Sequence, residues 1–168
     1  MLRSLPDGTR ILLRPIEAGD KDRLSVALAR LSQETIRRRF LAAKPNFSAA
    51  ELRYLTEVDG HHHLALAAFP AEDPDTIVGV ARCVRLPNQP ATAEFAIVVG
   101  DPLQGRGLGT LLARELARAA RAAGIRRFAA TMLGDNEAAR RLMRTFSRRL
   151  EEGWAGNGVR EVLVELAA

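Results

Sequence analysis

The chain has 168 residues, of which 47% are hydrophobic and 27% charged, and its formal net charge at pH 7 is +5. This length and balance are typical of one globular domain, so residues 1–168 are predicted to form a single domain. No apolar run approaches the roughly eighteen residues of a membrane span, and the first ten residues lack the apolar segment of a signal peptide, so we expect a cytoplasmic protein without a membrane partner.

Hydrophobic spacing predicts the elements of the first half of the chain. Apolar residues that recur every three or four positions indicate helices, and short apolar runs between turn residues indicate strands. The predicted order is a strand at 9–16, helices at 17–31, 34–40 and 48–58, and strands at 63–69, 76–86 and 92–99. Ser32 and Ser48 are the expected N-caps, Glu51 completes a capping box with Ser48, and Pro45 ends the second helix.

The second half is predicted to alternate helices and strands. The expected elements are a helix at 108–123, a strand at 126–133, a helix at 135–150, a loop at 153–158 and a strand at 159–166. Gly124 is the expected end of the first of these helices. The whole order describes a mixed α/β (α+β) sheet with helices on both faces.

Three glycines, Gly105, Gly107 and Gly109, cluster where the helix at 108–123 begins. Glycine costs roughly 1 kcal/mol relative to alanine in a helix, so the cluster indicates a backbone that a ligand approaches closely. The dinucleotide motif needs a glycine where Thr110 stands, and the magnesium-dependent phosphate loop needs Lys-Ser/Thr where Arg106-Gly107 stands. Neither of these two motifs is therefore present.

The surroundings of the cluster favour an anionic ligand. Residues 101–150 contain eleven arginines and four acidic residues, which gives this segment a net charge of +7. Main-chain N–H groups at a helix N-terminus have no partner inside the helix, so they can bind a diphosphate without a metal if glycine leaves the approach open. Such a segment predicts phosphate binding by the backbone.

Other reactive residues have simpler interpretations. The three adjacent histidines at 61–63 and the lone Cys83 lack metal-ligand spacing, so no metal site is expected. Cys83 reads as a buried small hydrophobe, and the histidines as a solvated loop. The arginines at 37–39 read as a solvated helix face, and no nucleic-acid motif accompanies them, so no nucleic-acid partner is expected.

The stretch from Gln104 to Gly109 resembles the pyrophosphate loop of the GNAT acetyltransferases, whose pattern is Gln/Arg-x-x-Gly-x-Gly/Ala. Gln104, Gly107 and Gly109 match that pattern. The stretches LPDGTRILLRPIEAGD, RLSQETIRRRFLAA and AEFAIVVGDPLQGRGLG are similar to the catalytic domain of bacterial protein lysine acetyltransferases. The resemblance implies the GNAT fold: a mostly antiparallel twisted sheet of six to seven strands, flanked by about four helices and splayed at strands 93–99 and 126–133.

The resemblance also implies acetyl-CoA as co-substrate, with no metal. The residues that it assigns to acetyl-CoA are Val98, Val99, Gln104, Gly105, Arg106, Gly107, Leu108, Gly109, Thr110 and Asn136. Main-chain groups near Val98 and Val99 would bind the pantetheine arm and polarise the thioester carbonyl. Glu94, a carboxylate in an otherwise apolar strand, would act through water as the general base, because a lysine ammonium with a pKa near 10.4 must lose a proton before it attacks.

Several alternatives stay open at this level. Many members of the family place a tyrosine seven residues after the position of Asn136 to protonate the leaving thiolate, but Met143 stands there and the only tyrosine is Tyr54. A competing interpretation of Glu94 pairs it with Arg82. The expected acceptor is a protein lysine, with a small-molecule amine or a non-catalytic acyl-CoA-binding module as alternatives, and the oligomeric state is left undetermined.

Overall fold

The computed structural model describes residues 1–42, 46–147 and 149–167. Its strands are β1 (Leu2–Ser4), β2 (Arg10–Pro15), β3 (His63–Pro70), β4 (Gly79–Leu86), β5 (Gln89–Val99), β6 (Arg127–Leu133), β7 (Glu151–Gly156) and β8 (Val159–Glu165). Its helices are α1 (Lys21–Ala29), α2 (Gln33–Phe40), α3 (Ala49–Thr56), α4 (Leu108–Ala122) and α5 (Glu137–Met143), with short 3-10 turns at Ala18–Asp20 and Asp101–Leu103. Within the described ranges, no helix is both long and apolar enough to cross a lipid bilayer.

All eight strands join one sheet in the order β1-β2-β3-β4-β5-β6-β8-β7. Every neighbouring pair is antiparallel except β5 and β6, which run parallel. Their ladder begins with Thr92 beside Arg127 and ends with Glu94 beside Ala129. Since β5 continues to Val99 and β6 to Leu133, the two strands separate beyond Glu94. The predicted splay is confirmed, and it opens a gap in the middle of the sheet.

Helices cover both faces of the sheet, as expected from the order of elements. On one face, α4 packs its buried leucines against β3, β4 and β5 and helps to form the larger core. On the other face, α1 and α3 cover a second core that includes Phe69 and Val80. Residues of β5 alternate between these faces: Phe95, Ile97 and Val99 belong to the α4 side, and Val98 to the opposite side.

Capping explains where the helices on the second face begin. The Ser32 hydroxyl accepts a hydrogen bond from the N–H of Thr35 at the start of α2. Ser48 and Glu51 form the predicted capping box at the start of α3. These caps are confirmed, whereas the predicted helix end at Pro45 lies outside the described residues.

The structure differs from the sequence prediction at the edges of the sheet. It has eight strands instead of six or seven, because β1 was not predicted and β7 occupies part of the predicted loop 153–158. All residues of β1 and β7 are exposed, so neither strand shows the apolar alternation that marks a half-buried strand. The helix predicted at 135–150 ends at Met143, and the Thr145 hydroxyl then donates to the Leu142 carbonyl in a turn.

Candidate active site

The glycine segment forms an open loop before α4. Gly105 and Gly107 have φ angles of +73° and +95°, in the left-handed region that favours glycine. In the described part of the chain, the main-chain N–H groups of residues 105–110 have no hydrogen-bond acceptor. The first turn of α4 also lacks a side-chain cap and an acidic residue. Six consecutive main-chain donors at the positive end of a helix are therefore without a protein acceptor, and all but that of the buried Leu108 belong to residues that are at least partly exposed.

The three glycines serve this loop in different ways. A Cβ atom on Gly107 would lie 3.0 Å from Cδ of Pro6, and its backbone is left-handed, so a side chain is disfavoured twice. Gly105 has the left-handed backbone but open space around it. At Gly109 the nearest atom would be Cγ2 of Val99 at 3.7 Å, an ordinary contact. Neither backbone strain nor a steric clash requires glycine at position 109. A glycine there is consistent with close approach of a ligand to the main chain.

The side chains of Arg106 and Leu108 in this loop contact other parts of the protein. Leu108 is fully buried and its side chain belongs to the larger core. The Arg106 guanidinium donates to the Asp7 carboxylate at 2.6 Å and to the Thr9 hydroxyl at 2.8 Å. Hydrogen bonds from Thr9, together with Arg106, lower the pKa of Asp7 to about 2. Arg106 and Leu108 thus lie in the loop as predicted, but they offer main-chain groups to a ligand.

A hydrogen-bond network ties this loop to α2 on the opposite face of the sheet. The Asp101 carboxylate accepts from the Ser32 main-chain N–H at 3.0 Å, the Ser32 hydroxyl at 2.7 Å and the Thr35 hydroxyl at 2.8 Å. The Gln104 amide nitrogen donates to the Thr35 hydroxyl at 3.1 Å and to the Val99 carbonyl at 3.0 Å. Gln104 therefore connects the loop, α2 and the end of β5.

The main chain of β5 presents alternate peptide groups to the gap. The Ala91 carbonyl accepts from the Arg126 N–H at 2.7 Å, and the Gly100 N–H donates to the Val78 carbonyl, next to β4, at 2.9 Å. Alternation along the strand then directs the peptide groups of Ile97 and Val99 toward β6 and those of Val98 toward β4. Beyond the end of the ladder, the N–H groups of Ile97 and Val99 have no strand partner. The sequence prediction named Val98 and Val99, but Val98 pairs with Val80 of β4, and Ile97 was missed, because the direction of each peptide group follows only from the observed register.

Asn136 lies just beyond the end of β6, on the far side of the gap. It is buried, and its side-chain oxygen accepts from the Ala139 N–H at 3.1 Å as the N-cap of α5. Met143, at the position where relatives place a tyrosine, is 1% exposed and belongs to the core. A general acid at that position is therefore lacking.

Glu94 stands where β5 and β6 begin to separate. Its register partners are Val84 on β4 and Ala129 on β6, and its side chain is exposed. Among the described residues it forms no ion pair, so the expected alternative partner Arg82 does not neutralise it. The nearby charge that acts on it is the Arg39 guanidinium of α2, which attracts it through space.

Arg82 is buried beside Glu94 on the same face of the sheet. It is 6% exposed, and its guanidinium donates to Nε2 of His63 at 3.1 Å and to the Leu55 carbonyl at 3.0 Å. Burial, followed by repulsion from Arg39, lowers the pKa of Arg82 to about 9. Burial and the positive charge of Arg82 also lower the pKa of His63 to about 4, so His63 is neutral at pH 7.

The histidines and arginines only partly follow the sequence interpretation. His61 and His62 are exposed, as expected, but His63 is buried and its ring lies 5.1 Å from that of Tyr54. Of the arginines at 37–39, the first two are exposed and pair with Glu34, whereas Arg39 is half-buried against the Phe40 ring. Arg39 and His63 were wrongly predicted to be solvated. Whether a helix face or a loop residue is buried depends on the elements that pack against it, and the sequence does not show these.

In the ranges that the structure describes, no three His, Cys, Asp or Glu side chains are grouped to hold a metal ion. Cys83 is fully buried in the larger core, and burial raises the pKa of its thiol to about 12. The interpretation of Cys83 as a buried hydrophobe is confirmed.

Comparison with known proteins places this geometry in a family. Residues 30–147 match the model of the acetyltransferase (GNAT) family. The chain is 35% identical over 160 residues to Acetyltransferase Pat of Mycolicibacterium smegmatis, covering 95% of this chain and 46% of that protein. It is 33% identical over 144 residues to Acetyltransferase PA5475 of Pseudomonas aeruginosa, covering 85% of this chain and 75% of that protein.

A solved structure shows the same architecture. The GNAT domain of S. lividans PAT superposes with a TM-score of 0.88 at 29% identity, covering 99% of this chain and 96% of that one. The present chain spans less than half of the Mycolicibacterium protein, so it corresponds to one part of that relative. The expected fold and family are confirmed, and the chain belongs to the GNAT acetyltransferase family.

Proposed function

We propose that the chain transfers an acetyl group from acetyl-CoA to a primary amine, with Glu94 as general base and a protein lysine as acceptor. One observation carries the proposal: six unpaired main-chain N–H groups at residues 105–110 lie at one end of a gap whose other end is marked by Glu94. A donor bound along the gap would place its diphosphate at the loop and its thioester near Glu94.

The donor side depends on main-chain groups. The N–H groups of residues 105–110 would bind the diphosphate without a metal, because the helix dipole and the open glycines favour a close anion. The N–H groups of Ile97 and Val99 would hold the pantetheine arm and polarise the thioester carbonyl, whose oxygen gains negative charge during attack. The Gln104 amide donates to the Val99 carbonyl. The N–H of Val99 would bind the donor.

The chemistry requires a neutral amine. Glu94, through a water molecule, would take one proton from the acceptor ammonium, and the amine nitrogen would then form a bond to the thioester carbon. The carbon–sulfur bond breaks, and the sulfur leaves as a thiolate that takes up the second proton of the nitrogen. Because a thiol has a pKa near 8.5, its anion is a tolerable leaving group, which is consistent with Met143 standing where relatives have a tyrosine.

A protein lysine is supported by the sequence stretches that resemble the catalytic domain of bacterial protein lysine acetyltransferases. A cytoplasmic location would suit such a substrate. The competing proposal, a non-catalytic acyl-CoA-binding module, draws its support from the buried Met143.

The test is acetyl transfer from isotope-labelled acetyl-CoA to a cell lysate, read by mass spectrometry, with the Glu94→Gln protein as matched control. Labelled protein lysines that depend on Glu94 would support the proposal. Labelled metabolites alone would move the acceptor to small amines, and tight CoA binding without any labelled product would favour the binding module.

A further inference from the structure

Two arginine charges lie beside Glu94 without a carboxylate partner. Arg82 is the one arginine among the buried residues of the described ranges, and its hydrogen bonds go to the neutral His63 and to a main-chain carbonyl. Arg39 has neither an ion pair nor a hydrogen bond within the described part of the chain. Arg14, which is also half-buried, is instead paired with the Asp20 carboxylate at 2.7 Å.

Such an arrangement is unfavourable in the unliganded protein. Desolvating a cation costs free energy unless an anion compensates, and a second cation nearby adds repulsion. The interaction between the two guanidinium groups is strong enough to lower the pKa of Arg82, after the effect of burial itself. Glu94 attracts Arg39, but it is exposed to solvent and is not among the charges that shift the pKa of Arg82.

The pair lies on the face of the sheet from which the Glu94 side chain emerges. Arg82 lies opposite Ala96 and Glu94 opposite Val84, so both side chains emerge from the same face of the sheet, one residue pair apart. Arg39 comes from α2, which contacts both β5 and β6 over the gap. Tyr54 of α3 is 58% exposed, and its ring lies 5.1 Å from that of His63, the hydrogen-bond partner of Arg82. Two guanidinium groups and a phenol thus border the side of Glu94 from which an amine would enter.

We propose that Arg39 and Tyr54, with the positive charge of the buried Arg82 behind them, bind a carboxylate of the acceptor, so that the preferred acceptor is an amine with a carboxylate close to it. This inference rests on the proposed function and adds the chemical class of its acceptor. A planar guanidinium suits a carboxylate because it offers parallel N–H donors. The carboxylate neutralises the arginine pair, and the amine lies beside Glu94.

An amine with a nearby carboxylate occurs both in small amino acids and in lysine peptides with a neighbouring glutamate. Matched pairs of substrates distinguish these two sources. In the first arm, β-alanine is compared with β-alaninamide, which keeps the amine but replaces the carboxylate by an amide. In the second arm, lysine peptides with glutamate beside the lysine are compared with the same peptides carrying glutamine. The readout is release of the CoA thiol, expressed as the ratio of kcat/KM within each pair.

We expect the carboxylate member of at least one pair to be preferred by about tenfold or more, the size of one or two charge-assisted hydrogen bonds. Arg39→Gln should bring that ratio close to one while the Kd for CoA stays unchanged. Arg114→Gln, on α4 across the sheet, is the matched control and should leave the ratio intact. Arg82→Gln tests the buried partner, and Arg39→Gln keeps the test valid if Arg82→Gln does not fold.

Equal rates for both members of both pairs in the unsubstituted protein would overturn the inference. Persistence of the preference in Arg39→Gln and in a folded Arg82→Gln would overturn it as well. Neither outcome would contradict the proposed acetyl transfer, since the amines would still be acetylated. Failure of every amine and every peptide to release thiol, with CoA still bound, would instead contradict the proposed function itself.

Discussion

The two sides of the gap use different parts of the polypeptide. The donor side is a continuous stretch from Ile97 to Thr110 that offers main-chain N–H groups. The acceptor side offers side chains from four separate elements, among them Arg39 of α2 and Arg82 of β4. A main-chain site depends on backbone conformation and tolerates most side chains, whereas a side-chain site changes with each substitution. The comparison predicts that donor binding and acceptor choice respond to different classes of mutation.

The largest expected effect belongs to Glu94. Glu94→Gln should lower kcat by about 10²- to 10⁴-fold near neutral pH, the range of a lost general base, and by much less at high pH, where the amine loses its proton unaided. Binding of CoA, measured by calorimetry, should not change. Glu161→Gln, an exposed site on β8, is the control for altered net charge. An equal loss at every pH would contradict the role of Glu94 as base.

The second effect should fall on the donor side alone. Gly107→Val forces a β-branched residue into a φ of +95° and against Pro6, so we expect a loss of about 1–2 kcal/mol in the free energy of unfolding and a weaker affinity for CoA. Gly109→Ala is the sharper comparison. Its Cβ fits without strain and helix propensity favours alanine, so stability should hold or rise while CoA affinity falls. Unchanged CoA affinity in both variants would contradict the proposal that this loop binds the diphosphate.

Asp101 connects the two sides, and its substitution should affect both modestly. Asp101→Asn weakens three hydrogen bonds to Ser32 and Thr35, so we expect a loss of about 1–2 kcal/mol in the free energy of unfolding by chemical denaturation. The KM of the acceptor should rise more than the Kd of CoA, because α2 borders the acceptor side. The reverse order would show that the network serves the loop and not α2. Asp135→Asn, an exposed position, is the control.

The smallest effect is a pH dependence specific to the acceptor side. The pKa of His63 falls to about 4 in the folded protein, whereas an unfolded histidine titrates near 6.5. Between these values the unfolded chain binds the extra proton, so stability should decline as the pH falls from 6.5 to 4. His63→Gln should flatten this part of the profile, and His61→Gln should not. A profile that His63→Gln leaves unchanged would contradict the buried neutral ring.

The two sides also differ in how far the sequence predicts them. The proposed donor loop is local, so it could be predicted from the spacing of Gln104, Gly107 and Gly109 alone. The acceptor cluster was not predicted, because Arg39 and Arg82 stand 43 positions apart by their numbers and meet only through the packing of α2 on the sheet. The contribution of Ile97 depended on strand register, and the exposed strands β1 and β7 carry no apolar pattern.

The alternation of β5 has a consequence for how this protein can change during evolution. In the proposed arrangement, even-numbered positions project side chains toward the acceptor and odd-numbered positions direct N–H groups toward the donor, so both roles depend on the two-residue repeat of the strand. Replacing a residue within 94–99 alters one contact. Inserting or deleting a single residue there would reverse the direction of the side chain and of the peptide group at every following position of the strand. The length of this segment is therefore constrained more tightly than its composition.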